Sequence, residues 1–258
     1  MTGPAVPADD RGLLLGDGLF ETMLAVDGAI GDFDAHLARM TRGAAVLGLP
    51  APGADEALTA AEAALAEARL TEGTAAVRLT LTAGSGRGLE RPEPLRTRLF
   101  ATASAAPRAA GPARLRMVTI RRNDTSPAAR VKTLAYLDNI LARRQARDLG
   151  GDEALLLNTR GELACAAAAN LFWIEGGRLF TPALGCGVLD GVMRGRVLAA
   201  ARDMAIEAVE ARAEPADLLG AEALFLTNSL MGVRPVGELD GRAFTGHALV
   251  EAISSRCR

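Results

Sequence analysis

A single lysine, Lys132, stands against 28 arginines in a chain of 258 residues. In a sequence this rich in Ala, Gly and Pro, arginine can replace lysine wherever only a positive charge is required. It cannot do so where a neutral amine must attack a carbonyl, because a guanidinium keeps its proton in a protein. Schiff-base chemistry is the commonest demand of that kind; a surface lysine kept by chance is the alternative. The only tyrosine, Tyr136, follows four residues later. It either lines the same cavity or is an ordinary aromatic at a helix start. Cys165, Cys186 and Cys257 show neither CxxC spacing nor a disulfide framework. His36 and His247 lack metal-ligand spacing with any other His, Cys or acid pair, so no metal is expected. The Gly-rich stretch AGSGRGLERPEP carries Arg87 but lacks the G-K-[ST] ending of a nucleotide P-loop.

The elements that must position these residues read as mixed α/β. GLFETMLAV (18–26) is strand-like and ends in a turn at Asp27-Gly28. A helix follows from about Asp34, with Leu37, Met40, Ala44 and Leu47 on one face. A second, Ala-rich helix covers roughly 54–70, and strands are expected at 75–83 and 96–103. The segment 103–116, Ala- and Pro-rich without periodicity, reads as a linker between two lobes. Beyond it come the strand LRMVTI, a helix over 136–150 stopped by glycine, and hairpins turning at Asn158 to Gly161 and at Gly176-Gly177. A helix starts after Gly191, and ALFLTN (223–228) is a buried strand. Phe172 and Trp173 fall in a strand and read as core.

The formal net charge of −2 leaves no basic footprint for nucleic acid. No apolar run approaches the ~20 residues of a membrane span, and the start, MTGPAVPADDRG, lacks the pattern of a secretory signal. A reduced, cytoplasmic protein is the expectation.

GLLLGDGLFETM, HLARM, VKTLAYLDNILARRQA, NTRGELACAAAANLFW and LTNSLMGVRPV, in this order, resemble the class-IV aminotransferases. That group includes branched-chain and D-amino-acid aminotransferases and aminodeoxychorismate lyase. The resemblance implies the fold-type IV architecture: a small N-terminal α/β lobe over 1–108, a larger barrel-like lobe over 109–258, and a homodimer with pyridoxal 5′-phosphate between lobes. The start looks short, since relatives carry an extra strand before DDRGLLLGDG. The resemblance makes Lys132 the Schiff-base lysine, with Tyr136 beside it. It gives the cofactor phosphate to Arg39, to the helix start at Gly191, Val192 and Met193, and to Ser229 with Asn228 and Thr227 beside it. Arg87 matches an arginine that reaches a substrate carboxylate in lyase-type relatives; a mobile surface arginine is the other reading.

One motif departs from the pattern. Relatives place a glutamate, the partner of the pyridine nitrogen, where counts from Gly161 and Asn170 both land on Cys165. Glu162 lies three residues away, on the opposite face of a regular strand, and only a bulge would rescue it. A thiol with a reference pKa of about 8.5 cannot hold a pyridinium as a carboxylate does, so a weaker electron sink is expected. The motif spelling is closest to aminodeoxychorismate lyase, which releases pyruvate and forms 4-aminobenzoate for folate biosynthesis. Aromatisation drives that step, so it should tolerate a weak sink. An aminotransferase acting on branched-chain or D-amino acids or amines is the first alternative. A non-catalytic protein on the same scaffold, with Cys165 a small buried hydrophobe, is the second.

Overall fold

In the computed structural model, residues 5–106 and 111–257 are described. They form two compact units: Met1–Pro107 with Val131–Ala135, and Arg108–Arg130 with Tyr136–Arg258.

The first unit runs α1 (Arg11–Leu15), β1 (Gly18–Val26), β2 (Ala29–Ile30), α2 (Phe33–Leu47), α3 (Ala54–Ala68), β3 (Thr74–Thr82) and β4 (Arg98–Ala105). The strands make an antiparallel sheet in the order β2-β1-β3-β4. Residues alternate across a strand, so Leu19, Met23 and Ala25 of β1 face inward. They meet Met40 and Ala44 of α2, Ala57, Ala61 and Leu65 of α3, and Val77, Leu79 and Leu81 of β3. The Asp27-Gly28 turn has φ of 47° and 80°, the two positive values that a two-residue hairpin of matching twist requires.

Most of the described residues of the expected linker at 103–116 are strand. β4 runs through Ala105, and the next strand begins at Ala113; residues 107–110 lie outside the described residues. Alanine has little intrinsic strand preference, but Ala101, Ala103 and Ala105 find ladder partners in Leu79, Val77 and Ala75.

The second unit contains β5 (Ala113–Arg122), α4 (Leu137–Asp148), β6 (Glu153–Asn158), β7 (Leu163–Ala166), β8 (Asn170–Glu175) and β9 (Arg178–Pro182). It continues with α5 (Val192–Asp203), β10 (Ala208–Ala211), β11 (Ala223–Asn228), β12 (Gly232–Leu239), β13 (Arg242–Ala243) and α6 (Ala248–Arg256). Its mixed sheet has the order β10-β9-β8-β11-β12-β5-β6-β7, with β13 on β12. The last strand curls round toward the first: Leu163 N–H donates to Ala213 O, just beyond β10, at 2.7 Å. Leu171, Trp173, Leu224 and Leu226 fill the inside of this barrel-like sheet. Their neighbours Phe172, Ile174 and Phe225 face outward under α5 and α6, with Phe172 and Phe225 stacked at 5.0 Å. Among the described residues no helix is long and apolar enough to cross a membrane.

Candidate active site

Lys132 is carried by an extended segment zipped to the free edge of β1. Phe20 N–H donates to Lys132 O at 2.9 Å, and Leu134 N–H to Gly18 O at 3.0 Å, with Leu19 and Thr133 paired between them. Sequence position alone puts Lys132 in the larger lobe; these backbone bonds place it in the smaller unit. Its Nζ lies 4.2 Å from the centre of the Phe20 ring, and the Arg78 guanidinium carbon lies 3.7 Å from the same centre. The Arg78 guanidinium on the same buried ring places a positive charge beside the amine. Arg78 had a sequence signal, a lone charge inside the apolar strand AAVRLTLTA.

Glu21, the next residue of β1, points to the opposite face, toward α2. There Arg39 Nε donates to its carboxylate at 2.8 Å, and His36 Nδ1 lies 2.7 Å from it. Burial raises the Glu21 pKa, but the bonds from Arg39 and His36 outweigh it and hold the carboxyl below its ordinary value. Lys132 and Arg39 thus flank β1 from its two faces.

Arg87 is exposed in the stretch between β3 and β4 and lines a surface hollow with Ala8, Asp9 and Leu14. The stretch is pinned by buried Arg11, which donates to Gly88 O, Leu89 O and Glu90 O at 2.9–3.0 Å. Arg91 and Arg11 both grip Asp17. Arg87 therefore stands on a braced stretch of chain.

In the second unit, α5 begins at Gly191 with no side-chain cap and no acid in its first turn. Its first N–H groups are thus offered to an anion. Met193 is buried and Val192 half-buried. Ser229 follows β11 in a turn shaped by Asn228, whose Oδ1 accepts from Leu230 N–H at 3.0 Å and Met231 N–H at 2.9 Å. The neighbouring Thr227 is fully buried, and its Oγ1 has no partner among the described residues. Tyr136 is half-buried at the start of α4.

Cys165 is buried in β7, packed with Ala164, Cys186 and Val188. Burial pushes its thiol up; Arg122 opposes the shift and Glu153 adds to it. The side chain is therefore neutral. The β6–β7 ladder shifts register between Leu156 and Leu157, opposite Cys165 and Leu163, so a bulge, not expected from the sequence, does exist there, with Ala164 the extra residue. Glu162 is nonetheless engaged elsewhere: Asn158 Nδ2 donates to it at 2.6 Å, and Arg212 and Arg160 at 3.1 and 3.2 Å. The Asn158 bond first, then Arg212, hold its pKa at about 2.

The two sheets and the helices on them are those of the fold-type IV enzymes. A solved structure described as a putative 4-amino-4-deoxychorismate lyase from Legionella pneumophila matches with a TM-score of 0.91 and 30% identity, covering 98% of this chain and 94% of that one. The chain belongs to the class-IV aminotransferases, whose family model, Amino-transferase class IV, matches residues 18–239. It is thus a member of a family of pyridoxal-phosphate-dependent aminotransferases and lyases. A putative branched-chain-amino-acid aminotransferase of Methanocaldococcus jannaschii is 33% identical over 94% of this chain and 85% of its own length. Aminodeoxychorismate lyase of Bacillus subtilis is 28% identical over 90% and 80%.

Proposed function

We propose that this chain is a cytoplasmic, homodimeric enzyme that holds pyridoxal 5′-phosphate on Lys132 and acts as a 4-amino-4-deoxychorismate lyase. The neutral, buried thiol of Cys165 carries the choice of reaction. The first unit offers the Arg39 cation, held by Glu21, and the residues of the second suit the phosphate end of the cofactor, with an uncapped helix start at Gly191, Val192 and Met193 and the Ser229 hydroxyl beside a buried Thr227 whose Oγ1 is unpartnered among the described residues. They depart at the ring-nitrogen end, where Cys165 replaces a carboxylate and Glu162 is occupied by Arg160 and Arg212.

Bound there, the cofactor supplies an electron-withdrawing ring that acidifies the carbon bearing the substrate's amino group. The residues do the rest. Lys132 Nζ, in its neutral form, takes the proton from that carbon and returns a proton as pyruvate departs. Arg87 orients a substrate carboxylate, and Tyr136 lines the site beside the lysine. Asn228 shapes the turn that presents Ser229. Loss of that proton together with departure of the enolpyruvyl group, which takes up a proton to become pyruvate, leaves an aromatic ring, so the reaction leans less on the ring nitrogen than transamination does.

Similarity to the M. jannaschii protein supports the second reading, an aminotransferase, with branched-chain amino acids as its substrates. One experiment separates them. Purified protein with cofactor is given aminodeoxychorismate, and separately a panel of L- and D-amino acids. Formation of 4-aminobenzoate and pyruvate is expected. Conversion of the cofactor to its amine form by an amino donor, without 4-aminobenzoate, would replace the lyase reading by the aminotransferase one.

A further inference from the structure

Two of the phosphate-binding elements proposed above, the start of α5 and the turn after β11, come from separate places in the chain. Both are tied to the short connection between β7 and β8. Asn170, the first residue of β8, is buried, and its Nδ2 donates to Leu189 O at 2.9 Å. Its Oδ1 lies where any side chain at position 191 would begin: a Cβ on Gly191 would sit 2.1 Å from it. Gly191 has an ordinary φ of −72°, so close approach, not backbone freedom, demands a glycine there. Asn228 makes the matching tie. Its Nδ2 donates to Ala168 O at 3.0 Å, while both lone pairs of its Oδ1 are taken by Leu230 and Met231 N–H. The backbones of Asn170 and Thr227 are register partners, which closes the frame.

We propose that Asn170, seconded by Asn228, is the positioning residue of the phosphate site, fixing the α5 N–H groups and the Ser229 turn against one stretch of chain. The proposal rests on the cofactor reading above. Neither amide need touch the ligand; each acts through the backbone it holds. Without Asn170 the first turn of α5 loses its tether and the pocket wall against Gly191, and the N–H groups no longer converge with Ser229.

The test compares pyridoxamine 5′-phosphate with pyridoxamine, neither of which reacts with Lys132, binding to the full-length chain by calorimetry. The wild type is expected to favour the phosphorylated ligand strongly. Asn170→Ala should cut that preference by about tenfold or more, as loss of a buried hydrogen bond would, with pyridoxamine affinity unchanged. Asn228→Ala should move it the same way and decides the matter if Asn170→Ala does not fold. A wild type indifferent to the phosphate would overturn the cofactor reading itself. A wild type that prefers phosphate, with variants that keep the preference or lose both ligands in parallel, would overturn the positioning role alone.

Discussion

Glu21 and Arg39 form a two-point ion pair, with Arg39 Nε on one carboxylate oxygen at 2.8 Å and a terminal nitrogen on the other at 2.5 Å. Glu21 is 1% exposed, and His36 lies on the same carboxylate. A guanidinium held this way has little freedom to rotate, so Glu21 sets where the Arg39 charge is presented.

Removing one partner of a buried pair strands the other charge. Glu21→Gln should therefore lower stability by about 3 kcal/mol at neutral pH, read by urea unfolding. The same pair gives a pH signature. The folded-state pKa of Glu21 lies below its ordinary value of 4.5, so the folded form holds fewer protons there than the unfolded one. The contribution is full above that value and falls away as the pH drops through it toward the folded pKa. Wild type and Glu21→Gln should converge in stability below pH 4.5; a constant gap down to strongly acid pH would exclude the ion pair as its source.

Glu153 behaves in the opposite sense. Burial raises its pKa above 4.5, against the Ala154 N–H bond and Arg143, whose guanidinium lies 3.8 Å from the carboxylate. A raised carboxyl pKa means that the folded form favours the proton, so the penalty is absent below 4.5 and grows as the pH rises through the folded value. Glu153→Gln should stabilise the protein by about 1 kcal/mol at neutral pH, with no gain at pH 4. Thermal melts at both pH values check this; a loss of stability at neutral pH would show the Arg143 attraction to be dominant.

Much of the frame is legible in the sequence because periodicity reports burial locally. Leu19, Met23 and Ala25 alternate with residues that face away from the core, and Leu37, Met40 and Ala44 recur at helical spacing, so β1 and α2 were readable. β4 was cut short because Ala101, Ala103 and Ala105 owe their extended form to β3, a partner that local propensity does not see. The five-residue α1 is too short for periodicity to register. The candidate site could be named from the sequence where chemistry restricts the residue type, as at Lys132, and where a motif fixes the count, as at Cys165. It was illegible where distant residues decide. Arg212, fifty positions along the chain, helps to hold Glu162, and only the fold pairs Arg39 with Glu21. Asn170 marked a motif, yet its tether to Leu189 depends on where α5 docks.

Cys165→Glu tests whether the thiol is an adaptation. A carboxylate there would bind a protonated ring nitrogen and deepen the electron sink. Transamination with amino donors should rise, and turnover to 4-aminobenzoate should fall by about tenfold, or about 1.4 kcal/mol in barrier. Steady-state rates for both reactions on the same preparation give the answer. A variant that improves the lyase reaction would mean that the thiol merely weakens the site.

The central claim is that the lone lysine carries the cofactor, and chemical trapping tests it most directly. The protein is incubated with pyridoxal 5′-phosphate, its visible spectrum recorded, and the sample reduced with borohydride, digested and mapped by mass spectrometry. The account predicts a visible absorbance band and one phosphopyridoxyl group on the peptide containing Lys132, both lost in Lys132→Arg. A colourless protein with no labelled lysine would contradict it.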